Sequence, residues 1–163
     1  MNYRKLSTDD AERFWELMDR LDHETKYMLY EPGERPRNIP QVEALIRDSA
    51  KHDFLLAAEA DNGLVGYISA QRGRLNRIAH SAYIVVGILA EHRGRGIGTE
   101  FFRRLDAWAE QENVTRLELT VICENEAAIR LYTKSGFRTE GVKHNLVCLD
   151  GRYLDEYYMA KLR

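Results

Sequence analysis

Three glycines at alternate positions, Gly94, Gly96 and Gly98, are interleaved with Arg93, Arg95 and Ile97 and followed by Thr99. Glycine lets the backbone turn so that several N–H groups converge on one point. Where such a turn opens a helix, the helix end adds partial positive charge, and the two together suit a pyrophosphate. The two guanidinium groups can add charge-assisted hydrogen bonds to the same anion. A solvated glycine turn is the plainer reading, but three glycines at a strand-to-helix junction favour the phosphate. Two phosphate-binding spacings can be tested. Walker A fails, because no Lys separates Gly98 from Thr99. The dinucleotide pattern Gly-x-Gly-x-x-Gly fits Gly94 and Gly96 but meets Thr99 at its third glycine. Glu118 lies near the offset of a ribose-binding acid, about 20 residues on. A nucleotide-linked dehydrogenase therefore stays open.

A second constellation lies downstream. Asn125 and Tyr132 are seven residues apart, two helical turns, and share nearly one face. By residue type alone, Asn125 is a helix N-cap and Tyr132 a half-buried ring with its hydroxyl at the rim.

Elements that could position these groups follow from periodicity. Ser7 can cap a helix carrying Phe14, Leu17, Met18 and Leu21, and a second helix follows Pro40 with Val42, Leu45 and Ile46 on one face. All three prolines fall between Thr25 and Pro40, which marks a structured loop. Strands at Phe54–Ala60 and Leu64–Gln71 should form a hairpin turning at Asp61-Asn62-Gly63. Ala79–Ala90 reads as a strand whose apolar half is covered on both faces, with Gly87 permitting a bulge or a close backbone approach. A helix from about Ile97 to Gln111 carries Phe101, Leu105, Trp108 and Ala109 as its stripe. Arg116–Cys123 alternates as a strand, and Asn125–Lys134 is a short helix stopped at Ser135-Gly136. Strands at Thr139–Leu149 and Tyr153–Leu162 meet at Asp150-Gly151. The class is mixed α/β around one sheet.

The 163 residues suit one domain over 1–163, able to bury about 70% of its unfolded surface. Lys plus Arg number 24 against 26 Asp plus Glu, a formal charge of −2, so no nucleic acid partner is expected. No apolar run approaches the ~20 residues that cross a bilayer, so no membrane partner is expected either. The N-terminus lacks the apolar core of a secretory signal. Cys123 and Cys148 form no Cys-x-x-Cys pattern and read as reduced and buried, with no metal site. These features together predict a cytoplasmic protein.

Taken together, the two constellations resemble the GNAT superfamily of acetyl-CoA-dependent N-acetyltransferases. The family's Arg/Gln-x-x-Gly-x-Gly/Ala motif is met by Arg93, Gly96 and Gly98; its Asn-x-x-Ala-x-x-x-Tyr motif with a following Gly-Phe is met by Asn125, Ala128, Tyr132, Gly136 and Phe137. The element order also matches, over nearly the whole chain. The resemblance implies a central, mostly antiparallel sheet of six to seven strands, flanked by about four helices and splayed at its central strands. It implies acetyl-CoA as cosubstrate and no metal. Backbone from Arg93 through Gly94, Arg95, Gly96 and Gly98 to Thr99 would hold the pyrophosphate. Backbone near Ile88 and Ala90 would pair with the pantetheine arm, beside a strand splayed away at a Gly87 bulge, and Asn125 would contact that arm. A strand N–H near Ile88 would serve the developing oxyanion.

Acetyl transfer to an amine needs a deprotonated nucleophile, from an alkylamine of pKa about 10.4, and a proton for a thiolate of pKa roughly 8.5. A phenol at the sulfur suits the second task, which makes Tyr132 the general acid. For the base, His80 has the right intrinsic pKa and falls on the expected central strand; Glu59, Tyr83 and Glu118, also on strands, are alternatives. In the family, the segment joining the first two helices helps build the acceptor pocket. Here it carries Tyr27, Tyr30, Glu31 and Glu34, a mixture that suits a cationic amine. Arg37, Arg72, Arg74 and Arg77 read as solvated charge, with Arg74 and Arg77 flanking a loop near the site. The expected activity is acetyl transfer to a primary amine, of a small molecule such as a polyamine or of a protein. A CoA-binding sensor without catalysis and the dehydrogenase are the alternatives, and a homodimer is open by analogy with the family.

Overall fold

Ser7 starts the first helical stretch, as its type predicts. Its N–H donates to the Asp10 carboxylate at 2.9 Å, and a 3-10 turn over Thr8–Asp10 leads into α1 (Ala11–Glu24). Phe14, Leu17, Met18 and Leu21 are buried on one stripe. α2 (Ile39–His52) is capped by Asn38, whose side chain accepts the Gln41 N–H at 3.1 Å. Its buried face is Val42, Ile46 and Ser49. Leu45, expected on that face, is 51% exposed, because one residue is a rotation of about 100°.

The structure, a computed structural model, describes residues 1–60 and 63–163. Asp61 and Asn62 of the expected hairpin turn lie outside the described residues. β1 (Asn2–Arg4), β2 (Phe54–Ala60), β3 (Gly63–Arg72), β4 (Ser81–Ile88), β5 (Arg116–Ile122), β6 (Arg138–Leu149) and β7 (Arg152–Leu162) form one sheet. Its order is β1-β2-β3-β4-β5-β7-β6, antiparallel at every pairing except β4 with β5. A doubly wound dinucleotide fold needs a mostly parallel sheet. The dehydrogenase reading therefore fails on topology. β1 escaped the sequence reading because three residues show no alternation.

Helices cover both faces. Tyr67 of β3 meets Phe14 of α1, with ring centroids 5.1 Å apart, while Phe54 of β2 meets Trp108 of α3 (Ile97–Gln111) at 5.5 Å. Tyr67 pairs with Ala57, three positions from Phe54 on the same strand, so alternation puts the two contacts on opposite faces. α4 (Glu126–Lys134) follows β5, and the β6–β7 hairpin turns through Asp150 and Gly151, both at positive φ. Two expectations change here. β4 is not buried on both faces: Ala82 and Ile84 are buried, whereas Tyr83 and Val85 are 39% and 38% exposed. Nor is either cysteine buried, since Cys123 is half-buried and Cys148 exposed; both are free thiols.

Candidate active site

β4 and β5 pair only at Ser81–Tyr83 with Arg116–Glu118. Beyond that point β4 stays bonded to β3 as far as Ile88, and β5 to β7 as far as Ile122, so their facing edges part. The Leu89 N–H goes to Val65 on the β3 side, whereas the His80 carbonyl accepts from Thr115 and Arg116 on the β5 side. Alternation therefore turns the Ile84 carbonyl and the backbone groups of Val86 and Ile88 into the gap. No bulge produces this fork: β3 and β4 keep one register through Gly87. Gly87 is required for close approach instead, because a Cβ there would lie 2.6 Å from Leu21 Cδ1.

At the wide end of the fork stands the glycine turn. Gly94 and Gly96 have φ of 72° and 82°, with open space around both, so conformation alone demands glycine there. Gly98 differs: it lies inside α3, and a Cβ would meet Leu131 Cδ2 at 2.6 Å, so its absence lets α4 close on α3. Glu100 is the first residue of α3 whose N–H reaches an intrahelical carbonyl, that of Gly96. The N–H groups of Ile97, Gly98 and Thr99 are orphan donors at a helix start, behind a left-handed turn, and this fits an anion. Arg95 and Thr99 are exposed. Arg93 folds back, its Nε donating to the Ile88 carbonyl at 2.9 Å, and the Ala90 N–H donates to Glu24 Oε2 at 2.8 Å. Burial opposes ionisation of Glu24, but the Ala90 N–H and Arg20 hold its carboxyl below the usual value. Glu24 gave no sequence signal, being an ordinary last-turn residue of α1.

Asn125 caps α4, accepting the Ala128 N–H at 3.3 Å. Tyr132 is 8% exposed, with Phe102 and Phe137 at centroid distances of 5.7 and 6.3 Å. Burial first, and neighbouring Tyr83 second, push its phenol pKa well up, so Tyr132 keeps its proton across the usual pH range. That is the state a general acid needs.

The open face of the fork is a polar floor. The Tyr83 hydroxyl meets Thr120 Oγ1 at 2.8 Å across the two strands, and the Tyr158 hydroxyl donates to Glu118 at 2.9 Å. Arg116 Nε holds the other Glu118 oxygen at 2.7 Å. Thr120 and Tyr158 were missed in the sequence; their signal is the polar phase of alternation on β5 and β7. Among the described residues, two base candidates have no hydrogen bond to this floor. His80 precedes β4 rather than lying on it, at the opposite end from the glycine turn, roughly 26 Å from Ile88 at strand rise. The loop carrying Arg74 and Arg77 shares that far end, and Arg74 pairs with Asp53 at 2.7 Å. Glu59 lies on β2, where Arg4 and Arg13 pull its carboxyl down to about 2.

The loop between α1 and α2 reaches over the fork. The Tyr27 hydroxyl donates to the Glu124 carbonyl, beside Asn125, at 3.4 Å. Arg35 stacks on the Tyr30 ring at 4.4 Å inside the loop, while Glu31 is exposed, with its backbone N–H donating to the Glu34 carboxylate at 2.9 Å. Arg35 in turn bonds the buried Asp22 carboxylate at 2.5 and 3.0 Å, anchoring the loop to α1.

A forked antiparallel sheet with a glycine turn and buried phenol at the fork has known relatives. Residues 14–137 match the acetyltransferase (GNAT) family. The chain belongs to the GNAT acetyltransferase family. This GNAT chain is 31% identical to an L-amino acid N-acetyltransferase of Escherichia coli strain K12, over 66% of this chain and 67% of that one. It is 29% identical to a spermidine N(1)-acetyltransferase of Vibrio cholerae, over 95% and 88% of the two chains. Among solved structures, a GNAT acetyltransferase from Streptococcus pneumoniae superposes with TM-score 0.95 at 23% identity, covering 99% of both chains. A GNAT phosphinothricin acetyltransferase from Sinorhizobium meliloti, solved in complex with acetyl-CoA, gives TM-score 0.83 at 19% identity, over 99% and 87%. At those identities the structural likeness speaks for the GNAT fold.

Proposed function

We propose that this protein moves an acetyl group from acetyl-CoA to a primary amine by direct transfer, with both substrates bound at once. The observation that carries the reading is the fork between β4 and β5, open beyond Tyr83, with the buried Tyr132 beside it. The gap-facing Ile84 carbonyl and the backbone groups of Val86 and Ile88 offer a strand edge on which an amide-bearing arm can lie. The glycine turn and the start of α3 offer donors for a pyrophosphate, supported by Arg93 and Arg95. For Ile88 and Ala90 to pair with the arm, Arg93 and Glu24 must release them. Acetyl-CoA supplies the acetyl thioester and a thiolate leaving group. Tyr132 gives its phenolic proton to the departing sulfur, and gap-facing strand N–H groups receive charge that develops on the carbonyl oxygen.

The acceptor side supports a cationic amine through Tyr27 at the mouth and the Glu118 carboxylate at the floor. Relatives named for L-amino acids and for spermidine both take amines, which favours the amine class over any single member. We further propose that the protein works in the cytoplasm, as one domain and without metal. The test is release of free thiol from acetyl-CoA in the presence of a panel of diamines, polyamines, amino acids and peptides. Acetylated product with at least one amine is the expected result. Stabilisation by acetyl-CoA without thiol release for any amine would return the protein to a CoA-binding sensor.

A further inference from the structure

The amine must lose protons, and among the described residues neither His80 nor Glu59 is hydrogen-bonded to the groups at the fork. At the apex of the fork stands another pair. Tyr83 is the last β4 residue paired with β5, and its hydroxyl lies 2.8 Å from Thr120 Oγ1, two residues past the last β5 rung. Tyr83 is 39% exposed, on the face of β4 that α1 covers farther along at Gly87, so solvent reaches this side chain. Tyr132 lies close enough that Tyr83 contributes to its raised pKa after burial, and Tyr83 contributes likewise, as a lesser cause, at Tyr158. The neighbouring carboxylate, Glu118, is already bonded by Arg116 and Tyr158.

We infer that Tyr83, oriented by Thr120, carries the proton from the attacking amine to solvent. This rests on the transferase reading above. In a relay Tyr83 gains one proton as it gives up another, so its oxygen stays neutral and the net transfer runs from the ammonium, of pKa about 10.4, to solvent. The nitrogen gives a proton to the Tyr83 oxygen as the Tyr83 hydroxyl proton passes to Thr120 Oγ1, and the Thr120 proton leaves to water. The N–C bond forms and the C–S bond breaks. The nitrogen's second proton replaces the one Tyr132 gives to sulfur, so one proton is released per turnover. Tyr83 is the catalytic group in this step and Thr120 the positioning residue.

The experiment compares Tyr83→Phe, Thr120→Val and Thr120→Ser with wild type, using the best amine of the panel and saturating acetyl-CoA. Tyr83→Phe should lower kcat by tenfold or more, with the KM for acetyl-CoA within about twofold. Thr120→Val should lower kcat in the same direction, and Thr120→Ser, which keeps the hydroxyl, should stay near wild type. A purely structural clasp would instead move the KM values or the melting temperature and would not be rescued by serine. An active wild type with an equally active Tyr83→Phe overturns this inference alone. A wild type that turns over no amine removes the transferase reading with it.

Discussion

Leu21 of α1 fills the space that a side chain on Gly87 of β4 would need, its Cδ1 2.6 Å from the position of the missing Cβ. Leu21 is 1% exposed and has nowhere to retreat. Gly87→Ala should therefore destabilise the fold by about 1–3 kcal/mol, as overpacking does. The melting temperature should fall by ~2–4 °C for each kcal/mol. An unchanged melting curve would mean that α1 slides freely on the sheet.

The two kinds of glycine in the turn should separate under mutation. Gly96→Ala places a Cβ in open space but in a left-handed conformation, so its main effect should be a raised KM for acetyl-CoA. Gly98→Ala meets the Leu131 side chain, and its main effect should be a lower melting temperature. Measuring both quantities on both variants checks the assignment, and a reversed pattern would refute it.

Tyr132→Phe keeps the ring contacts to Phe102 and Phe137 and removes only the hydroxyl. Turnover should drop by roughly 10²-fold or more with binding of acetyl-CoA preserved. Because burial raises its pKa, the wild-type rate should not fall through loss of the Tyr132 proton near the ordinary phenol value of about 10. A wild-type alkaline limb that persists in Tyr132→Phe belongs to another group.

Acid stability should turn on the cluster of Arg4, Asp10, Glu59 and Arg13. Arg4 bonds Asp10 at 2.7 and 2.8 Å and Glu59 at 2.8 Å. Its guanidinium is the leading reason that Asp10 lies well below the usual carboxylate range and Glu59 near 2. Both pKa values are lower folded than unfolded, so their contribution is complete only above about pH 5 and is lost as pH falls toward 2. Arg4→Met should lower the melting temperature at pH 7 and flatten its decline between about pH 5 and 2. Parallel wild-type and variant profiles would show that the cluster does not govern acid unfolding.

Helices and strands were legible where one face had to be apolar: Phe14, Leu17 and Leu21 on α1 and Leu117, Leu119 and Val121 on β5 lie buried as their spacing requires. The glycine turn was legible because φ above zero leaves few residue choices. Three features stayed hidden for physical reasons. The fork depends on where two strands stop bonding, which no local pattern encodes. The Glu24–Ala90 and Tyr83–Thr120 contacts join residues 66 and 37 positions apart. His80 was placed on β4 because apolar periodicity marks a strand's middle better than its ends.

The short seam between β4 and β5 has a mechanical meaning. With three rungs joining them, β1–β4 and β5–β7 are two plates hinged along one line. A bound arm hydrogen-bonded along Ile84–Ile88 would act as a spline, locking the hinge from its open side. Amide hydrogens of Val86 and Ile88 should then exchange quickly in the free protein and slow sharply on binding, while those of β2 and β3 change little.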